Sequence, residues 1–130
     1  MRSINIAIIV NSENALSSGS LQSNVYLVDT NKYLGSWGQG ESKLHTVCQD
    51  GQSISWWATA VNAANAISIS GFSGEMVSSK TCVPQLDAIS SDNAWFGNVQ
   101  THKSIGSFSY TITLDLDGKA MSFMATLKVV

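Results

Sequence analysis

The sequence predicts an all-β fold, an antiparallel two-sheet β-sandwich forming one domain over residues 1–130. Three observations lead there. Short segments alternate apolar and polar residues with a period of two. Asp-Gly pairs stand between such segments, as in tight turns. Helical periodicity is nearly absent, with at most a short helical turn after strand one. A chain of 130 residues is long enough to bury roughly two-thirds of its unfolded surface, so one core suffices without staples.

In chain order, "MRSINIAIIV" alternates Ile4, Ile6, Ile8 and Val10 and stops at polar "NSEN", which reads as the first strand. Its apolar run is too short for a signal peptide, so a cytoplasmic protein is expected. "SENALSSGS" reads as a brief helical turn, capped by Ser12 or Asn14 and ended by Gly19. Further strands are expected at 24–29, 66–72 and 95–102. The stretch 74–94, holding the single proline, Pro84, reads as a connecting loop. At the end, Phe108, Tyr110, Ile112, Leu114 and Leu116 alternate with polar residues, and Met121, Phe123, Ala125, Leu127 and Val129 do so after Asp117-Gly118. A two-residue turn there opposes Leu114 to Met121, Ile112 to Phe123, Tyr110 to Ala125 and Phe108 to Leu127 on one buried face.

A second Asp-Gly, at 50–51, separates "KLHTVC" from "ISWWATAV". A two-residue turn would set Leu44 against Trp57 and His45 against Trp56. A three-residue turn with a bulge would instead group Leu44, Thr46 and Cys48 with Ile54, Trp56 and Ala58. The second arrangement makes the better core and sends Trp57 outward with Thr59 and Val61. Adjacent strand residues face opposite sides, so only one of the paired tryptophans can enter the core.

Charged residues make up 12% of the chain, about half the usual share, and the formal net charge is -2. A surface solubilised by Ser, Thr, Asn, Gln and Gly resists self-association less than a charged one. The seven basic residues are scattered among acids and form no stripe for phosphates, so no nucleic-acid partner is expected. No segment has the length of a membrane-spanning helix. Cys48 and Cys82 lie far apart outside any CxxC pattern and read as buried reduced thiols.

Catalytic chemistry finds no recognisable motif. His45 and His102 are the only imidazoles, and neither sits in a triad signature. No zinc-ligand spacing is present. "DLDG" at 115–118 reads as the hairpin turn rather than part of a calcium loop, and paired carboxylates for glycosidic chemistry are not identifiable. No enzyme activity, metal or cofactor is therefore expected. The densest polar and aromatic stretch, residues 24–42, offers Asp29, Asn31, Tyr33 and Trp37 as a candidate ligand-binding set able to stack and hydrogen-bond a sugar or peptide. In the structural alternative, Tyr33 and Trp37 cap the core while Asp29 and Asn31 serve as turn residues.

"NVYLVDTNKYLGSWGQG", "TVCQDGQSISW", "ISGFSGEMV", "WFGNV" and "YTITLDLDGKAMSF" resemble, in order and over nearly the whole chain, the motifs of the bacterial inclusion-body protein family of the PixA/AidA type. The resemblance implies an all-β sandwich without established enzymatic activity, found in relatives as cytoplasmic inclusions or induced under quorum sensing, some with links to host interaction. Trp57 stands where that pattern would carry a polar or charged residue. The expected function is thus a self-associating, non-enzymatic sandwich, most simply a dimer, with Trp57, Thr59 and Val61 as the candidate interface. The competing expectation is a small lectin-like module with a glycan as partner.

Overall fold

The computed structural model describes residues 4–29, 44–61, 66–86, 94–100 and 105–130. The elements are β1 (Ile4–Val10), α1 (Ser12–Ser18), β2 (Val25–Asp29), β3 (His45–Cys48), β4 (Ser53–Ala60), β5 (Ile67–Ser73), α2 (Glu75–Ser78), β6 (Gln85–Leu86), β7 (Trp95–Asn98), β8 (Gly106–Leu116) and β9 (Lys119–Val129). They form two sheets, one ordered β2-β1-β4-β7-β6 and the other β3-β9-β8-β5. The molecule is a two-sheet β-sandwich, as the alternation predicts. The expectation of purely antiparallel sheets does not hold: among the described residues five of the seven pairings are antiparallel, while β1 with β4 and β3 with β9 run parallel, one such pair in each sheet, because each joins strands distant in the chain rather than neighbours linked by a tight turn.

The β8–β9 hairpin adopts the expected register, with Leu114 opposite Met121, Ile112 opposite Phe123, Tyr110 opposite Ala125 and Phe108 opposite Leu127. Asp117 and Gly118 both have positive φ, 51° and 88°, the conformation of a type I′ turn whose twist suits the flanking strands. The Asp115 carboxylate accepts from Gly118 N at 2.7 Å, and that of Asp117 from Ala66 N at 2.7 Å. Both carboxylates thus brace backbone, one closing the turn and the other tying it to the start of β5.

Asp50-Gly51 does something else. No hairpin forms there, in either of the two registers considered: β3 pairs with β9 and β4 with β1 and β7, so the chain crosses from one sheet to the other. Gly51 takes φ 87°, Gln49 N donates to the buried Gln52 side chain at 2.7 Å, and Gly51 N and Val99 N bond across to Val99 O and Gln52 O. The grouping of side chains survives the change of partners. Leu44, Thr46, Cys48, Ile54 and Trp56 are all buried, because both strands face the same inter-sheet space.

The core also takes Ile4, Ile6, Ile8 and Val10 from β1 and the inward residues of the hairpin. At its centre four rings meet, two from each sheet: Trp56 and Trp95 from one, Phe72 and Tyr110 from the other. Their centroids lie 4.9 Å apart for Trp56–Phe72, 5.5 Å for Phe72–Trp95 and 6.1 Å for Trp56–Tyr110. The indole N–H groups are satisfied: Trp56 Nε1 donates to Tyr110 Oη at 3.4 Å and Trp95 Nε1 to Ile69 O at 3.1 Å.

Local details differ from expectation at two places. The N-cap of α1 is Asn11, whose side chain accepts from Asn14 N, rather than Ser12 or Asn14, while Gly19 ends the helix at φ 74° as expected. Within 74–94 the chain forms α2 and the two-residue β6, elements too short to leave a periodic signal. Among the described residues no helix is long and apolar enough to cross a membrane.

Candidate functional site

The two outer faces of the sandwich differ sharply in chemistry. On the four-stranded sheet, cross-strand rows read Ser109–Thr126–His45, Ser73–Thr111–Met124 and Thr113–Ser122, the last pair sharing a hydroxyl hydrogen bond of 3.0 Å. Hydroxyl groups dominate and bond water readily. The five-stranded sheet presents apolar rows instead. Val28–Ala7–Trp57 and Tyr26–Ile9–Thr59 run side by side across β2, β1 and β4. Trp57 is 39% exposed and Tyr26 42%, and Val61, held by its N–H to Val10 O, follows at the end of β4.

This face exists because β1, β2 and β4 alternate in phase. Ile4, Ile6, Ile8 and Val10 point inward, as do Val25, Leu27, Ile54 and Trp56, so Ala7, Ile9, Tyr26, Val28 and Trp57 are turned outward. Trp57, Thr59 and Val61 are therefore brought together on one outer face. Sequence reasoning did not single out Tyr26 and Val28, although the alternation of "NVYLVD" carries the signal. Beside Trp57 lies an open hollow of about 450 Å³, lined by Asn5, Ser55, Thr59 and Ala94.

Of the other candidate set, Asp29 ends β2, where its backbone pairs with Ile6. Asn31, Tyr33 and Trp37 lie outside the described residues, as does His102. His45 is half-buried on β3. Cys48 and Cys82 are buried free thiols. Burial pushes each thiol up to about 12, and the neighbouring Cys82 adds to the effect at Cys48. Such thiols stay protonated and are poor nucleophiles. Among the described residues, no three His, Cys, Asp or Glu side chains gather where they could hold a metal ion.

Residues 2–122 match the family described as a domain of unknown function, DUF8788. No curated protein matches the chain. Among solved structures, an inclusion body protein (PixA) from Burkholderia cenocepacia J2315 superposes with a TM-score of 0.76 at 14% identity, covering 99% of this chain and 96% of that one. An endo-fucoidan hydrolase of glycoside hydrolase family 107 reaches only 0.39, at 13% identity, covering 85% of this chain and 17% of that one. The likeness to the PixA protein is one of fold and spans both chains almost end to end, whereas the match over 2–122 is one of sequence: the chain belongs to the DUF8788 family.

Proposed function

We propose that this protein is a non-enzymatic β-sandwich that self-associates, as a dimer, through the outer face of its five-stranded sheet. The observation that carries the reading is the contrast between the two outer faces: one carries mainly hydroxyls with Met124 exposed among them, and the other sets Val28, Ala7 and Trp57 beside Tyr26, Ile9 and Thr59, with Val61 just beyond the end of β4. Contiguous exposed apolar surface of this kind marks an interaction site, and aromatic residues are favoured at interface centres. A low charge density opposes association weakly. The shared fold with a protein described as an inclusion body protein is consistent with accumulation as assembled material in the cytoplasm.

The test truncates the outward indole. Truncating Trp57 should raise the dimer dissociation constant roughly 30-fold, equivalent to about 2 kcal/mol for an interface anchor, while leaving the thermal melt of the monomer nearly unchanged. Sedimentation velocity over a concentration series reads the first effect and circular dichroism the second. A parent protein that stays monomeric throughout the series, or a Trp57→Ala variant that associates like the parent, would refute the reading.

A further inference from the structure

The opposite end of the same sheet carries a second, chemically different hollow. It measures about 480 Å³ and lies where the segment after α2 folds back along β6 and β7. Phe96 forms one wall, 42% exposed, with Val83 beside it. Gln85, Asn98, Gln100 and Lys80 supply its polar lining, and Val77 and Gly97 line it too. Among the described lining residues Lys80 is the only charged one. The volume falls within the usual range for small-molecule sites, roughly 300 to 1,000 Å³.

Lys80 occupies this place at a conformational cost. Its φ is 61°, the left-handed conformation that glycine or asparagine adopts at the end of a helix with less strain. The segment is held there by Lys80 N to Val77 O at 3.0 Å, Cys82 N to Met76 O at 3.2 Å and Gln100 N to Thr81 O at 2.7 Å. These bonds fix the lysine-bearing turn against the exit of β7, so that Lys80 and Phe96 line the same hollow.

We propose that this hollow binds a saccharide bearing a uronic acid. The C–H face of a pyranose packs on an exposed aromatic ring. Each primary amide offers both a donor and an acceptor, which suits sugar hydroxyls that need both. The ammonium pairs with the uronate carboxylate through a charge-assisted hydrogen bond. An acidic peptide fits less well, because the edge strand available for backbone pairing is only Gln85–Leu86 among the described residues and Pro84, immediately before it, has no N–H to give. This hollow shares no lining residue with the one beside Trp57, although Phe96 pairs with Ser55 on the same outer face.

Calorimetric titration with trigalacturonate, against the neutral trisaccharide cellotriose and a hexaglutamate peptide, tests the assignment. The acidic trisaccharide should bind, more weakly as salt rises, and should bind at least tenfold tighter than cellotriose. Lys80→Gly is the informative variant: it removes the ammonium and relieves the left-handed strain, so binding should fall at least tenfold while the melting temperature does not drop. Phe96→Ala should weaken binding comparably, and Met124→Ala, on the outer face of the other sheet, should leave it unchanged. Absence of binding by trigalacturonate, equal binding of cellotriose, full binding by a folded Lys80→Gly variant, or tighter binding of hexaglutamate would each overturn the proposal. Sedimentation of Lys80→Gly should match the parent, so failure here and failure of the dimer reading give different results.

Discussion

Trp56 and Trp57 are adjacent in the chain, yet one is fully buried against Phe72 and Tyr110 and the other is 39% exposed. Trp56→Ala should therefore cost about 3 to 5 kcal/mol of folding stability, read from urea unfolding, because it empties a ring-sized space between the sheets. Trp57→Ala should cost well under 1 kcal/mol in the same measurement. The buried thiols make a second residue-level prediction. Each has an ordinary value of 9.0 and is pushed up to about 12 in the folded protein. The unfolded chain therefore loses its thiol protons first as pH rises. Stability contributed by the protonated thiols is complete below pH 9 and declines between pH 9 and 12, by up to about 1.4 kcal/mol per pH unit for each thiol. Urea midpoints measured across that window should fall more steeply for the parent than for a Cys48→Ala/Cys82→Ala variant, and equal slopes would show that the thiols titrate normally when folded.

At the level of elements, the β8–β9 hairpin carries the four-stranded sheet, and Phe123 is buried in its inner face opposite Ile112. Phe123→Ala should lower stability by about 3 to 5 kcal/mol; a loss under about 1 kcal/mol would mean the inner face can collapse around the vacancy. This hairpin was fully legible because turn chemistry and alternation point to the same register. At Asp50-Gly51 the two signals separate. Alternation there gives the buried side of the first half of β4, and Trp56 and Trp57 fall as read, whereas on β3 Val47 is buried along with Thr46 and Cys48. The same Asp-Gly chemistry, however, serves equally a hairpin and a passage between sheets, and the choice is made by β1 and β9, distant partners that no local pattern announces. The Trp57 rows are half-legible for the same reason: each strand's outward residues can be listed, but their neighbours follow only from strand order. The hollow at Lys80 and Phe96 is not legible at all, since α2 and β6 are too short for periodicity and its polar groups come from separate segments.

Across the whole molecule, the strand order joins residues far apart in sequence. Ile4 pairs with Ile54 in the parallel β1–β4 ladder, and His45 with Thr126 in the parallel β3–β9 ladder. Closing such long loops costs entropy before any contact returns it, so refolding from urea should be slow for a small domain, on the order of milliseconds to seconds. Stopped-flow fluorescence of the core tryptophans measures this, and a microsecond phase carrying the full amplitude would contradict it. The position of β9 has a consequence for synthesis. It is made after β3 and β8, and it completes both the hairpin with β8 and the ladder with β3. On the ribosome, a nascent chain that has emerged only as far as β8 leaves β3 without its ladder partner and the inner face of β8 without the hairpin partner that sets its register. For that interval its apolar surfaces are open to neighbouring chains, and slower translation through β9 lengthens the exposure.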